Sequence, residues 1–314
     1  MIGAAADTGI EATRPRLVIS TLEHSSVAEA AAALERSGTE LHHLPIRPDG
    51  SVDGEVLESL LATRPRLLSV QAVNSVTGLR LPTEALCEVA ARHRVPVHVD
   101  AVQAIGRVTL PPTGEPGVIL TLSAHKLGGP KGAAVLVIPP SLELRPRLFG
   151  GGQEGGMRPG TEDVEGAVGM ATALELACRG MESEVERLSG LRERLERGIG
   201  PVLPGTRVHG AEGPRAPHIL HLGVPGVDAE LLLAALDLEG VAASAGSACR
   251  SGTAEPGPAL EALYGAEVRR RAPLRLSLGW NTTAAQVEEA VERITSVLQR
   301  LGDRSTPTRD ERTP

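Results

Sequence analysis

Short apolar runs alternate with longer amphipathic stretches through the N-terminal half of the chain. Arg16 to Ser20, Leu67 to Val73, Val95 to Val99, Val118 to Leu122 and Ala133 to Ile138 are brief and rich in aliphatic residues, the pattern of buried strands. Ser25 to Ser37, Gly54 to Thr63 and Pro82 to His93 repeat their apolar positions at helical spacing. The alternation predicts an α/β fold, a mostly parallel sheet flanked by helices on both faces. Ligands of such sheets gather outside the carboxyl ends of the strands. Asn74 and Ser75, Asp100 to Gln103, and His125 with Lys126 all fall at those ends.

The pattern changes in the C-terminal half. A helical stretch runs from about Glu162 to Ile199 and breaks near Gly180. After it come short strand-like runs at His218 to Leu222, Val241 to Ala243 and Leu274 to Leu278, and helical ones at Asp228 to Leu238 and Thr283 to Leu301. This order predicts a large domain over 1–199 and a smaller α+β domain over 200–302. The polar remainder, 303–314, is expected to be a disordered tail.

Composition narrows the function classes. The 314 residues are 41% hydrophobic and 23% charged, ordinary for a globular protein. A net charge of -7 with no basic cluster argues against nucleic acid as the partner. No apolar run is long enough to span a bilayer, so no membrane role is expected. Met1 to Pro15 lacks the apolar stretch of a secretory signal. Three cysteines without a pairing pattern fit a reducing cytoplasm. Phe149, Tyr264 and Trp280 are the only aromatics of their kinds, so Leu, Val, Ile and Ala must build the core.

Several constellations carry chemistry. Ser123-Ala124-His125-Lys126-Leu127-Gly128-Gly129-Pro130-Lys131-Gly132 places an amine between a strand end and a tight turn. A lysine held there suits Schiff-base formation with an aldehyde cofactor, with Ser123 and His125 as phosphate donors; it also fits a surface lysine in a polar turn. His98-Val99-Asp100-Ala101-Val102-Gln103 ends a strand in a carboxylate. A carboxylate beside a pyridine nitrogen keeps it protonated and so keeps the ring an electron sink; the plainer role for Asp100 is a helix cap. Glu23-His24 offers an imidazole able to stack on a flat ligand, or a structural histidine of the kind common near strand ends. The glycine-dense run Gly150 to Thr161 presents bare amides, Arg158 and the Thr161 hydroxyl to an anion. Ser244 to Gly252 sets Cys249 among small residues, with Arg250 favouring its thiolate. Cys87 and Cys178 sit in helical patterns and are expected in or near the core. Arg275, alone in an apolar strand, calls for an anion, either a substrate carboxylate or a structural Asp or Glu. His218 and His221, three apart on a strand, face opposite ways, and no metal site is expected.

Together these motifs resemble the cysteine desulfurases, pyridoxal-phosphate enzymes of the class V aminotransferase type, in the subgroup with a Gly-Ser-Ala-Cys loop. The resemblance runs from about Glu23 to Val297. Its most specific parts are Ser-x-His-Lys-x-x-Gly-Pro-Lys-Gly, Asp-Ala-x-Gln, Gly-Gly-Gly-Gln-Glu…Arg-x-Gly-Thr and Gly-Ser-Ala-Cys. It implies a type I pyridoxal-phosphate-transferase-like fold and a homodimer. Lys126 would bind the cofactor covalently and move protons at the substrate α-carbon. Asp100 would hold the ring nitrogen, Gln103 and Ser75 the ring substituents, and His24 the ring face while relaying protons. Ser123, His125 and, from the partner subunit, Thr161 would hold the phosphate. Arg275 and Asn74 would bind the L-cysteine substrate. Cys249 would take its sulfur as a persulfide for a sulfur-acceptor protein, such as an iron–sulfur scaffold or a tRNA-thiolating enzyme.

The chain departs from the family pattern in three places. Members usually carry a further segment before the Glu-His motif, with a Gly-Ala-Thr-Glu-type turn for the cofactor phosphate; without it, open sheet edges and bare apolar surface are expected to weaken the fold. Asn74-Ser75-Val76-Thr77-Gly78 stands where Asn-Asn-Glu-(Thr/Ile)-Gly is usual. Gly155 and Pro159 replace an Arg and a Ser in the glycine loop. These departures leave open a catalytically weak paralogue that serves as a dimerising or scaffold-binding subunit. A related enzyme such as a selenocysteine lyase is a further alternative.

Overall fold

The structure, a computed structural model, describes residues 14–112, 117–246 and 255–305. The chain divides into two compact units. Residues up to Asn74 and Leu79–Ser183 make the first; Ser75–Gly78 and the residues from Glu184 onward make the second.

The first unit is built on a six-stranded sheet of order β2-β1-β3-β4-β5-β6. Its strands are β1 (Arg16–Ser20), β2 (Glu40–Leu44), β3 (Leu67–Gln71), β4 (Val97–Asp100), β5 (Val118–Ser123) and β6 (Ala134–Val137). β1 to β5 run parallel and β6 pairs antiparallel with β5. All five residues of β3 are buried, as expected for a strand covered on both faces. β2 escapes the sequence pattern because it is an edge: Glu40, Leu41 and His42 are half-buried and His43 is exposed. Glu40 there pairs with Arg16 at 2.8 Å, and His42 donates to it as well.

Helices α1 (Ser25–Arg36), α2 (Gly54–Ala62), α3 (Thr83–Arg92) and α4 (Val164–Arg179) belong to the same unit. α2 starts where the Asp53 carboxylate accepts from the amides of Glu55 and Val56. Asp163 caps α4 by accepting from Gly166 N at 2.9 Å. Val27 and Ala31 of α1 bury against Leu17, Ile19, Leu67 and Ile119. The chain passes from β1 outward to β2, then returns to the other side of β1 as β3. That reversal makes β1/β3 the switch point, where loops leave in opposite directions and open a crevice at the strand ends.

The second unit packs α5 (Met181–Ile199, of which it holds the part from Glu184), α6 (Ala229–Leu238) and α8 (Ala284–Ser305) on an antiparallel sheet β7-β8-β9. β7 is Arg207–Val208, β8 is Ile219–Pro225, β9 is Arg271–Ser277, and α7 is Pro258–Tyr264. Gly180 separates α4 from α5, at the break expected from sequence. Val241–Ala243, expected as a strand, is not one: a single bridge, Ser244 to Arg275, is all that forms. The reason is local. Val241 N donates to Leu236 O and Gly240 takes a φ of 74°, so the first amide is spent on closing α6. α8 continues to Ser305, so residues 303–305, expected in the tail, are helical. The rest of the expected tail lies outside the described residues.

Leu222 is fully buried in the core that β8 and β9 share with α5, α6 and α8. Leu222→Ala is expected to cost about 2–5 kcal/mol, read as a lower urea midpoint at unchanged slope. A loss under about 1 kcal/mol would mean that this core is loosely packed. Cys178, expected in or near the core, is exposed on α4, and Cys87 is half-buried. No helix among the described residues is long and apolar enough to cross a membrane.

Candidate active site

Four neighbouring strands of the first unit deliver polar side chains at their carboxyl ends. β1 leads through Thr21 and Leu22 to Glu23 and His24; β3 leads to Asn74; β4 ends in Asp100; β5 ends in Ser123 and turns at once into a one-turn 3₁₀ helix, Ala124–Lys126. The aliphatic strands fix where the ends fall, and the sheet's order places them side by side.

The lysine turn is held by its backbone. Ala124 N donates to Ala133 O, and Gly129 N returns to Ala124 O at 3.0 Å. Arg107 Nη2 donates to Lys126 O at 2.7 Å. A side chain at Gly129 would meet Ala124 Cβ at 3.0 Å and Ala173 Cβ on α4 at 3.1 Å, which explains the glycine and fixes the turn against α4. Lys126 is half-buried. Ser123 Oγ and His125 Nδ1 are 2.8 Å apart, so the expected phosphate donors form one pair. Burial and the Lys126 and Lys131 charges lower the His125 pKa.

Asp100 is half-buried and accepts from Val102 N at 3.0 Å. Burial raises its pKa, while that hydrogen bond and the nearby His24 pull the other way. Both sequence roles are compatible with this geometry, since the amide uses Oδ1. Gln103 lies in the turn after it. His24 serves as the N-cap of α1: its Nδ1 accepts from Ser26 N at 3.2 Å and lies 2.8 Å from Ser26 Oγ. Asn74 is buried, and its Nδ2 donates to Leu22 O at 3.4 Å.

Beneath Asp100 lies a network that the strand pattern concealed. His98 bridges β3, β4 and β5, with Nδ1 2.8 Å from Ser69 Oγ and Nε2 2.8 Å from Thr121 Oγ1. Burial lowers its pKa to about 4, so it is neutral. Glu23 was visible only as half of a motif; its carboxyl accepts from Ser20 Oγ at 2.5 Å and from Gln71 N at 2.8 Å. A polar residue inside an otherwise aliphatic strand was the available signal for His98, Ser69 and Thr121.

Thr161 is exposed, in the loop that leads to α4. In the same loop Gly155 has a φ of 63°, a conformation costly for the Arg the family pattern expects there.

Ser75 and Arg275 belong to the second unit. Arg275 Nη1 donates to Ser75 O at 2.9 Å and Gly246 O at 2.6 Å. Its Nε is buried with no hydrogen-bond partner among the described residues, a donor that a carboxylate would satisfy. Burial lowers its pKa. Cys249 lies outside the described residues, as do Ser247 to Ala254 around it. His221 is buried with its Nδ1 2.9 Å from His209 Nδ1. Among the described residues no cluster of three or more His, Cys, Asp or Glu is placed to hold a metal ion.

The donor set fits pyridoxal phosphate: a primary amine at a rigid strand end, a half-buried carboxylate for a ring nitrogen, and a hydroxyl–imidazole pair for phosphate. Comparison with known proteins agrees. The class-V aminotransferase pattern matches residues 5–290. A cysteine desulfurase of Cereibacter sphaeroides is 36% identical over 92% of this chain and 74% of its own length. A mitochondrial cysteine desulfurase of Arabidopsis thaliana is 35% identical over 93% of this chain, which spans 65% of that relative's length. The solved structure of a NifS-like protein superposes with a TM-score of 0.85 at 27% identity, covering 96% of this chain and 79% of its own.

Proposed function

Because the chain belongs to the class-V aminotransferase family, among its pyridoxal-phosphate-dependent cysteine desulfurases, we propose that it takes sulfur from L-cysteine, releases L-alanine and carries the sulfur as a persulfide on Cys249. The observation that supports this most directly is the row of Glu23–His24, Asn74, Asp100 and Ser123–Lys126 at adjacent strand ends.

Pyridoxal phosphate, when bound, supplies an electron sink for bonds breaking at the amino-acid α-carbon. The residues of the chain do the rest. Lys126 anchors the cofactor and moves the proton at the α-carbon. Asp100 would accept a hydrogen bond from the ring nitrogen, and its carboxylate would keep that nitrogen protonated. Gln103 and Ser75 take ring substituents, and the His24 imidazole covers the ring face. Ser123 and His125 bind the phosphate with neutral donors. Arg275, whose Nε has no partner among the described residues, takes the substrate carboxylate, and Asn74 is a further substrate-binding residue of this reading. Cys249 attacks the substrate sulfur as a thiolate: the substrate C–S bond breaks, an S–S bond forms on the enzyme, and no outside oxidant is needed.

A homodimer is part of this reading. Leu148, Phe149, Val164 and Val168 lie exposed on either side of Thr161, an apolar surface suited to a second copy. Thr161 would then reach the partner's phosphate. The acceptor is a protein of the iron–sulfur scaffold or tRNA-thiolating kind, and the cytoplasm is the compartment. The free Cys87 and Cys178 suit a reducing environment.

Cys249→Ser tests the sulfur step. The variant is expected to keep the cofactor's visible absorbance and to lose sulfide and alanine production from L-cysteine by roughly 10²-fold or more. Undiminished turnover would show a lyase that needs no thiol.

A further inference from the structure

Glu23 stands at the switch point of the sheet, and the roles assigned above leave it unused. Its Oε1 accepts from two donors, Ser20 Oγ at 2.5 Å and Gln71 N at 2.8 Å, which tie the end of β1 to the end of β3. Both donors are uncharged. Its Oε2 is shut off from solvent and has no hydrogen-bond partner among the described residues. The groups that face it are Ser20 from β1, Gln71 from β3 and Asp100 from β4, and His24 follows it in the chain. Gln71 pairs in register with Asp100, so the second carboxyl belongs to the neighbouring strand.

An ionised Glu23 would leave a bare oxygen in a dry pocket beside another carboxylate. Buried charge without a paired cation is expensive, and a carboxyl in that position keeps its proton instead. Burial and Asp100 raise its pKa to about 8, against the opposing pull of Ser20 and Gln71.

We propose that Glu23 is a positioning residue that works as a neutral carboxylic acid: Oε1 locks the ends of β1 and β3 together, Oε2 carries the proton, and Asp100 is left as the single negative charge at the floor of the cofactor site. This rests on the reading of Asp100 as the ring-nitrogen partner. The neutral form matters because two adjacent carboxylates would raise each other's pKa and weaken Asp100 as an anion. Gln is the isostere of a protonated Glu, accepting at one atom and donating at the other.

The test compares wild-type and Glu23→Gln chains without cofactor, by thermal melting from pH 5 to pH 9. The folded wild type keeps a proton that its unfolded chain gives up from about pH 4.5, so its stability falls as pH rises toward 8 and then levels. The variant's amide has no such proton to release. The wild-type melting temperature is therefore expected to drop by several degrees relative to the variant across that window. A constant difference overturns the proposal. Should the variant fail to fold, infrared spectra of the wild type and of Asp100→Asn decide the matter. A protonated-carboxyl carbonyl band present in both at pH 7, and lost above pH 8, supports the proposal; its absence at pH 7 overturns it. With pyridoxal phosphate added, the variant's dissociation constant at pH 7 is expected within about threefold of wild type, and a tenfold loss counts against the neutral form. The melting and infrared readouts need no cofactor, so they stand or fall apart from the cofactor assignment.

Discussion

Lys126→Ala is expected to lose alanine production from L-cysteine by roughly 10⁴- to 10⁶-fold, as removal of a covalent catalytic group does. The visible absorbance of the pyridoxal-phosphate-loaded protein should vanish with it, and borohydride should leave no pyridoxyl adduct at position 126. The substitution removes the amine and leaves the backbone bonds of the turn in place. The turn is held by Ala124 N to Ala133 O, Gly129 N to Ala124 O, and Arg107 Nη2 to the carbonyl of residue 126. All are bonds to backbone, so alanine preserves them, and the melting temperature should move little. A variant that keeps a tenth of wild-type turnover would remove Lys126 from the mechanism. One that loses both turnover and fold would instead show that the turn depends on the side chain.

Asp100→Asn is the second large effect. The expected loss is roughly 10²- to 10³-fold in kcat/KM, the cost of removing one preorganised charge from a dry site. Asparagine still accepts from Val102 N, so the strand end keeps its shape. It cannot hold a proton on a pyridine nitrogen, because it carries no charge. Stability should move the other way. Burial raises the Asp100 pKa, so the folded chain releases that proton at higher pH than the unfolded one, and stability falls as pH rises through the window. The variant lacks that fall and should melt no lower than wild type at pH 8 without cofactor. A variant that is both active and less stable would make Asp100 a structural cap alone.

Opposite signs for activity and stability at one residue are expected where a site stores unfavourable burial for use in chemistry. Asp100 and Glu23 divide that burden unequally. Asp100 accepts from one amide, and Glu23 has two donors on one oxygen and, among the described residues, none on the other.

Much of the first unit was legible in the chain because its strands are short, aliphatic and buried on both faces. Such runs look alike in any context, and β3, β4 and β5 follow them within a residue or two. Edges were less legible. β2 carries Glu40, His42 and His43, since one side of an edge strand is spent on charge and solvent. Val241–Ala243 failed for the converse reason: its aliphatic residues were consistent with a strand, but the capping of α6 had already used Val241 N. Cys178, expected in or near the core from its helical spacing, is exposed because that face of α4, which also carries exposed Val164 and Val168, is not covered by the described residues.

What the amino-acid order determined by itself was the chemistry at each strand end: an amine after β5, a carboxylate closing β4, Glu-His after β1. These are local, because a strand's length and its final residue are written in consecutive positions. What only the tertiary structure decided was which ends are neighbours and which atoms are left without partners. The 2-1-3-4-5-6 order brings β1, β3 and β4 together, although Glu23 and Asp100 are far apart in sequence. Ser20 and Gln71 both reach Oε1 of Glu23, and the packing around it leaves Oε2 dry and, among the described residues, without a partner. Desolvation depends on everything packed around a group, and no run of consecutive residues encodes it.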